Sequence, residues 1–373
     1  MDRRNFMRTG GLGALGVATT AGLATPALAQ AVPKIRWRCL SAFPATLGPL
    51  HGGALRLARA VSEASDGAFE IEVVPPDEAA PLAAVTDAVI AGTAEMGHTA
   101  ASYSTARNPT YALGSAAPFT LNARGLDAWL IQGGGLDLLG SFFAGEGLAF
   151  LPGGTTGTQM GGWFRREIKT VQDLKGLNIR IAGLGGEVLR RLGAVPQSLP
   201  PRAILPALER GALDAAEWMG PADDEVLGLV KAAPYYYYPG WWEGSLSLCF
   251  FIGKAQHDAL PPAWRSLLAT AARAVSLDML AEYDFRNPPA LKRLVETGAQ
   301  LRPFPQDVLN ACFDASAALY AEIGAGNSAF QRIHDSIMAF RSETYLYQQL
   351  AEYTYDTFMM IKQREGALAP GGD

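Results

Sequence analysis

Cysteine, histidine and charged side chains are all scarce in this chain of 373 residues. It contains three cysteines, four histidines and 18% charged residues. An odd and small number of cysteines excludes a disulfide framework, and the apolar neighbours of each predict buried, inert thiols. The histidines do not pair at the spacing of a zinc site, and the Gly-x-Ser-x-Gly and P-loop motifs are absent. These absences exclude the commonest sequence signatures of zinc enzymes, α/β-hydrolases and nucleotide hydrolases.

Basic residues are outnumbered by acidic ones, with 31 lysines and arginines against 36 aspartates and glutamates, which gives a formal net charge of −5. A protein that follows nucleic-acid phosphates needs a basic face, so nucleic acid is not expected as a partner. The hydrophobic fraction of 49% and the aromatic fraction of 9% exclude a disordered chain. The length predicts two domains, or one large one, with room for a substantial core.

The first 29 residues have the pattern of an export signal. Arg3 and Arg4 are followed by a weakly apolar run over residues 11–23 and by the small-x-small sequence Ala27-Leu28-Ala29. The run is shorter than the roughly 20 residues that span a bilayer, so cleavage is favoured over anchoring. Paired arginines predict the twin-arginine route to the periplasm. Removing residues 1–29 takes away three arginines and one aspartate, which leaves a net charge of −7.

The rest of the chain alternates between short strands and helices. Apolar residues alternate over residues 35–39 and 69–73 and recur at helical spacing over residues 50–64 and 81–92, which predicts a strand–helix–strand–helix order. Such an order implies an α/β fold with a mostly parallel sheet. A second series follows over residues 178–219, with strands expected at 178–182, 194–199 and 212–219. Residues 344–362 predict a long closing helix.

Paired glycines at 153–154 and 161–162 mark a crossing between two domains. Ligands of such sheets bind beyond the carboxyl ends of the strands, and two lobes can close on them about a hinge. The predicted division is 30–153 with 250–305 as lobe I, 154–249 with 306–340 as lobe II, and 341–373 as a C-terminal helix and tail.

Arg180 is the first candidate binding residue. It lies near the end of a predicted strand, between Ile179 and Ile181, which face the other way. A guanidinium there can hold a carboxylate through two parallel hydrogen bonds. An ordinary surface arginine on a half-exposed strand explains the same pattern equally well.

Two further stretches combine carboxylates with aromatic rings. Glu217 precedes Trp218 at a predicted strand end, and six of the ten residues over 234–243 are aromatic. Most of these rings are expected to serve packing. Glu243 is harder to explain in that way, because a carboxylate inside an apolar patch is unfavourable unless it is paired or bound to a cation. Gln159 lies between the two glycine pairs, where a loop glutamine is the simpler interpretation.

Taken together, these stretches resemble the substrate-binding proteins of tripartite ATP-independent periplasmic (TRAP) transporters. The resemblance is to the branch that binds 2-oxo and 2-hydroxy monocarboxylates, and it covers nearly the whole mature chain. The most specific part is the tyrosine-rich run ending in Trp-Trp-Glu, with Glu-Trp upstream of it. The matching stretches are 159–165, 171–180, 206–218 and 235–243.

The resemblance implies a two-lobed periplasmic binding protein fold and assigns roles within its cleft. Arg180 would pair with the ligand carboxylate, and a sodium or calcium ion would bridge ligand and protein. The implied ligands of that cation are Gln159, Glu217, the carbonyl of Trp218 and Glu243. Hard cations prefer oxygen ligands, and a cation offsets the charge of two buried glutamates.

Tyr103 is also expected to contact the ligand, together with Arg180, Gln159 and Trp218. Residues 101–109 carry fewer aromatic rings than relatives do at this place, which implies a smaller and more polar wall. Members of the branch can form dimers by exchanging a C-terminal helix, and residues 344–362 have the apolar surface for it. Packing of that helix on its own chain is equally compatible.

The function implied by these observations is that of a receptor rather than an enzyme. It would capture a small 2-oxo or 2-hydroxy monocarboxylate with a cation and deliver it to the TRAP permease in the membrane. A sensory protein that presents the ligand to a receptor kinase has the same fold and is a second hypothesis. A secreted hydrolase using Glu217 and Glu243 as an acid–base pair is the third.

Overall fold

The computed structural model describes residues 34–76 and 80–366, so the predicted export signal lies outside the described residues. The strands are β1 (Ile35–Ser41), β2 (Phe69–Val74), β3 (Met96–Ala100), β4 (Leu148–Thr155), β5 (Trp163–Phe164), β6 (Asn178–Arg180), β7 (Val195–Gln197), β8 (Ala215–Ala216), β9 (Tyr235–Tyr238), β10 (Ser247–Gly253) and β11 (Gln300–Pro303).

The α-helices are α1 (Gly48–Ala64), α2 (Ala84–Ile90), α3 (Ala123–Ile131), α4 (Gly135–Gly145), α5 (Gly183–Arg191), α6 (Pro201–Glu209), α7 (Pro221–Leu227), α8 (Lys254–Ala259), α9 (Pro262–Glu296), α10 (Gln306–Gly326), α11 (Ser328–Gln348) and α12 (Thr354–Arg364). Short 3₁₀ helices cover Ala101–Ser104, Pro109–Gly114, Val171–Leu174 and Leu229–Lys231.

The first sheet has the strand order β2-β1-β3-β10-β4. Strand β1 pairs in parallel with β2 and β3, as the strand–helix alternation predicts. Strand β10 returns from the second sheet and runs antiparallel to both β3 and β4. The sheet is therefore mixed rather than mostly parallel, because β10 enters it directly from the second sheet and not through a helical crossover, whereas β4 follows helix α4.

The second sheet has the order β11-β9-β5-β8-β6-β7. It too is mixed, with β6 parallel to β7 and β8 and with β5 antiparallel to β8 and β9. Strand β11 pairs in parallel with β9. Residues 300–303 thus belong with the second sheet, which corrects the expectation that residues 250–305 lie in lobe I. The strand expected over 212–219 is reduced to β8.

Two short segments connect the sheets, at residues 156–162 and 239–246, in addition to the helical connection through α8 and α9 from β10 to β11. The first segment coincides with the crossing predicted from the glycine pairs. The two short segments bond to each other, because the Gly240 amide donates to the Gln159 carbonyl at 3.0 Å. A Cβ at Gly240 would lie 2.7 Å from that oxygen, so only glycine allows this approach. The crossing segments therefore form one hydrogen-bonded unit between the sheets.

Helix α9 runs through the cores of both halves of the structure. Trp264 and Leu268 near its start belong to the core cluster under the first sheet. Met279 and Tyr283, farther along, belong to the cluster that contains Trp163 of the second sheet. The same helix packs against β4, α1 and α7.

The predicted closing helix is confirmed, and it begins earlier than expected. Helix α11 continues through a π-helical turn at Gln349–Tyr353 into α12. Leu346, Leu350 and Phe358 on this continuous helix are more than half exposed. Within the described residues, no helix combines the length and apolar character that crossing a membrane requires.

Candidate functional site

Arg180 lies at the last position of β6 and is 1% exposed. Its Nε donates to the carbonyl of Leu199 at 3.2 Å, while Nη1 donates to the carbonyl and to Oε2 of Glu217 at 2.7 and 2.9 Å. The guanidinium carbon lies 4.6 Å from the centroid of the Trp218 ring. These contacts fix the plane of the guanidinium and leave Nη2 without a hydrogen-bond partner among the described residues. Arg180 is therefore a buried, oriented group and not a surface arginine.

Glu217 follows β8 directly, and its amide donates to the carbonyl of Arg180 at 2.9 Å. Parallel pairing of β6 with β8 brings the two residues together. The Glu217 side chain is buried, and burial raises the pKa of its carboxyl to about 7 although the Arg180 charge opposes the rise. Burial and the Arg180 guanidinium therefore act on this carboxyl in opposite directions.

Gln159 and Glu243 come from the two crossing segments. The Gln159 amide donates to Thr156 Oγ1 at 3.1 Å and approaches the Met219 sulfur at 3.2 Å. Burial, and then the neighbouring charge of Glu217, raise the pKa of Glu243 well above its ordinary value. The crossing segments thus carry an amide and a second buried carboxylate to the carboxyl end of β8.

Several buried polar atoms at this place have no hydrogen-bond partner among the described residues. They include Oε1 of Gln159, Nη2 of Arg180, the hydroxyl of Tyr103, Oε2 of Glu243 and Nε1 of Trp218. Burial raises the pKa of the Tyr103 hydroxyl, and the charges of Arg180, Glu243 and Glu217 all act on it. Because unpaired buried polar groups are costly and rare, such a set indicates a site for a polar ligand.

The chemistry of these atoms fits a carboxylate together with a hard cation. Nη2 of Arg180 is a free donor suited to an anion, whereas the oxygens of Gln159 and Glu243 suit sodium or calcium. Within residues 34–76 and 80–366, no three His, Cys, Asp or Glu side chains cluster tightly enough to hold a metal. A cation here therefore needs amide or main-chain oxygens in addition to carboxylates.

A second pair of buried acids escaped the sequence analysis. Asp224 Oδ2 accepts hydrogen bonds from Trp163 Nε1 at 2.9 Å and from the Tyr236 hydroxyl at 2.6 Å. Asp223 Oδ2 accepts from the Tyr283 hydroxyl at 2.6 Å. Burial raises the pKa of Asp223 to about 7 and that of Asp224 to about 6. Acids in a first helical turn normally face water, so no sequence signal distinguished this pair.

The predicted site residues therefore converge. Arg180, Glu217 and Trp218 come from the second sheet, Gln159 and Glu243 from the crossing segments, and Tyr103 from the 3₁₀ helix after β3. Two α/β sheets joined by crossing segments, with a polar site at their strand ends, define a two-lobed solute-binding protein.

Comparison with known proteins identifies the family. Residues 40–327 match the family model described as "Bacterial extracellular solute-binding protein, family 7". The chain belongs to this family, whose members are the solute-binding proteins of TRAP transporters.

Three relatives illustrate the similarity. A protein of Nostoc sp. named as a monocarboxylate 2-oxoacid-binding periplasmic protein is 40% identical, over 97% of this chain and all of its own length. A TRAP solute-binding protein of Bordetella bronchiseptica is 40% identical in sequence, and its structure superposes with a TM-score of 0.87. The match covers 90% of this chain and 99% of the Bordetella chain. The crystal structure of that relative is a dimer and holds calcium and picolinate. A TRAP solute-binding protein of Pseudoalteromonas atlantica, solved with bound sodium and pyruvate, is 35% identical in sequence and has a TM-score of 0.83. That match covers 86% of this chain and 98% of the Pseudoalteromonas chain.

Proposed function

We propose that this protein is a periplasmic receptor that binds a small 2-oxo or 2-hydroxy monocarboxylate together with sodium or calcium and delivers it to a TRAP permease. The observation that carries the proposal is the set of unpartnered buried atoms around Arg180, which pairs one free guanidinium donor with uncoordinated oxygens. The relatives with bound pyruvate and sodium, or picolinate and calcium, support the same ligand class.

In this proposal Arg180 binds the ligand carboxylate through Nη2. The contacts of its other nitrogen atoms with Leu199 and Glu217 hold the guanidinium in place before the ligand arrives. Such preorganisation lowers the entropy lost on binding. Tyr103, in the 3₁₀ helix that follows β3 of the first sheet, provides a hydroxyl, so that the ligand touches both halves of the protein.

Gln159, Glu217, Glu243 and the Trp218 carbonyl would hold the cation. Bound there, a cation supplies positive charge that offsets the two glutamates and attracts the carboxylate and 2-oxygen of the ligand. This resolves how a chain with an expected mature net charge of −7 can retain an anion. The unpartnered oxygens of Gln159 and Glu243 are the observation that fits this role.

We also propose that the protein is exported by the twin-arginine route and forms a homodimer. The paired Arg3 and Arg4 support export by the twin-arginine route. The exposed apolar side chains Leu346, Leu350 and Phe358 support a homodimer formed through the C-terminal helix.

Isothermal titration calorimetry with pyruvate, 2-oxobutyrate and lactate tests the proposed function. The protein is first freed of metal with a chelator and then titrated with and without calcium or sodium. Binding of at least one of these acids, tighter when the cation is present, is the expected result. A protein that binds none of them in either condition contradicts the proposal.

A further inference from the structure

Asp224 is a buried carboxylate to which the proposed binding of ligand and cation assigns no role. It is 1% exposed, on the first turn of α7, and its amide donates to the Gly220 carbonyl at 2.9 Å. Trp163 Nε1 and the Tyr236 hydroxyl both donate to its Oδ2. Its Oδ1 has no hydrogen-bond partner among the described residues. Because a buried carboxylate oxygen without a donor is costly, this one indicates a role beyond packing.

Asp224 lies beside the segment that carries the proposed cation ligands. Burial raises the pKa of Asp224 to about 6, and the nearby main-chain N–H of Met219 is one of the donors that oppose the rise. Met219 directly follows Trp218, whose carbonyl is a proposed ligand of the cation. The charge of Asp224 also acts on Glu217, and that of Arg180 acts on Asp224. The carboxylate therefore borders the cation site without being one of its proposed ligands.

The geometry of one peptide group connects Asp224 with the carbonyl of Trp218. The Trp218–Met219 peptide is trans, so its C=O and N–H point in opposite directions within one plane. An acceptor that fixes the Met219 N–H on one side therefore fixes the direction of the Trp218 carbonyl on the other. A cation bound to that carbonyl polarises the peptide, which strengthens donation by the N–H in turn. Asp224 can thus orient a cation ligand without binding the cation itself.

We propose that Asp224 is a positioning residue of the cation site. Its Oδ1 accepts the Met219 N–H and thereby holds the Trp218 carbonyl toward the cation. The hydrogen bonds from Trp163 and Tyr236, on the second sheet, keep the carboxylate in place. The inference rests on the proposed function and adds a residue to its cation site. Replacing a group that holds a metal ligand in place commonly lowers metal affinity about 10–100-fold.

Calcium titrations of Asp224→Asn test the inference. Calorimetry on protein freed of metal should show calcium affinity reduced about tenfold or more, because the acceptor loses its charge. Asp223→Asn is the matched control, since it removes a buried carboxylate on the same helical turn that binds Tyr283 of α9 instead. We expect the control to lose clearly less affinity. Equal losses in the two variants contradict the inference, because charge and not position would then explain them.

The amide resonance of Met219 reports on the positioning directly. Protein labelled with ¹⁵N-methionine, with the resonance assigned through Met219→Leu, is titrated with calcium. The Met219 amide proton should move downfield in the wild type, because its hydrogen bond strengthens, and should move less in Asp224→Asn. A variant that is merely destabilised would show the full shift at saturating calcium. Identical shifts in the two proteins overturn the inference.

Tyr236→Phe provides a second test if Asp224→Asn does not fold. This variant keeps the ring that stacks on Trp163 and removes one hydrogen bond that anchors the carboxylate. Its calcium affinity should fall about threefold or more, and unchanged affinity contradicts the inference. Full calcium affinity in Asp224→Asn overturns the inference and leaves the proposed function intact. Wild-type protein that binds neither calcium nor pyruvate overturns both.

Discussion

Nη1 of Arg180 lies 2.9 Å from Oε2 of Glu217, and both side chains are buried. The pair forms because β6 and β8 run in parallel and end at the same edge of the second sheet. Removing one member of a buried ion pair leaves the other charge uncompensated. The Glu217 carboxylate therefore orients Arg180 for an anionic ligand, and we propose that the same carboxylate also binds the cation.

Replacing Arg180 by alanine should weaken pyruvate binding by about 2–5 kcal/mol, because a buried charge pair with the ligand is lost. Calorimetry of the variant measures this loss. Arg190→Ala is a matched control, since Arg190 lies on the exposed face of α5 and pairs with Glu187. Equal affinity of Arg180→Ala and the wild type would exclude Arg180 as the carboxylate ligand.

Replacing Glu243 by glutamine should raise the stability of the ligand-free protein and weaken its binding of the ligand. The variant removes a buried carboxyl whose charged form is disfavoured by burial and by Glu217. At pH 8, without ligand, we expect its free energy of unfolding to rise by about 1 kcal/mol. Affinity for pyruvate in calcium should fall at least tenfold, because an oxygen with negative charge is lost from the cation site.

Urea denaturation and calorimetry together check this variant. Glu209→Gln, at an exposed position of α6, serves as the control and should change neither quantity. A Glu243→Gln protein that binds pyruvate with full cation dependence argues against Glu243 as a cation ligand.

The pH dependence of stability should reflect Asp223. Its pKa is near 3.9 in an unfolded chain and is raised by burial to about 7 in the folded one. Between these values the folded state keeps a proton that the unfolded state has lost, so the free energy of unfolding falls as pH rises from about 4 to about 7. Asp223→Asn should flatten this fall by at least about 1 kcal/mol between pH 5 and pH 8.

Thermal or urea unfolding across this pH range makes the comparison. Asp284→Asn on α9 is a suitable control, because Asp284 is exposed and adjoins Tyr283, the partner of Asp223. The control should retain the slope of the wild type. An unchanged slope in Asp223→Asn would show that other groups cause the pH dependence.

The sequence predicted local structure well and long-range pairing less well. The helix expected over residues 50–64, the placement of Arg180 at a strand end and the closing helix follow from local patterns of apolar residues. The sequence did not predict β5, which has two residues and gains its pairing from β8 and β9. Partners far apart in sequence decide such strands.

In the candidate site, too, the sequence predicted individual residues better than contacts between residues far apart in the chain. Arg180, Glu217 and Glu243 stood out as charges in apolar surroundings, and the structure brings them together. The hydrogen bonds of Asp224 with Trp163 and Tyr236 could not be predicted, since they join residues of α7, β5 and β9. The ring of Tyr236 also stacks on Trp163 with centroids 3.9 Å apart, which explains part of the aromatic run as packing.

The C-terminal helix provides a test of assembly. Leu350 is 79% and Phe358 57% exposed, so burial in a partner would remove a large apolar area from water. Leu350→Glu with Phe358→Glu should convert a dimer to a monomer, as measured by light scattering after gel filtration. Leu277→Glu on α9, also strongly exposed, should leave the dimer intact. A monomeric wild type at micromolar concentration contradicts the dimer.

Ligand and cation share one site in the proposed function, so their affinities should depend on each other. Calcium binding is measured by calorimetry in the absence of pyruvate and at saturating pyruvate, on protein freed of metal. Because linkage is reciprocal, pyruvate should tighten calcium binding by the same factor, tenfold or more, by which calcium tightens pyruvate binding. Two affinities that do not depend on each other would contradict a cation bridging the carboxylate to Glu217 and Glu243.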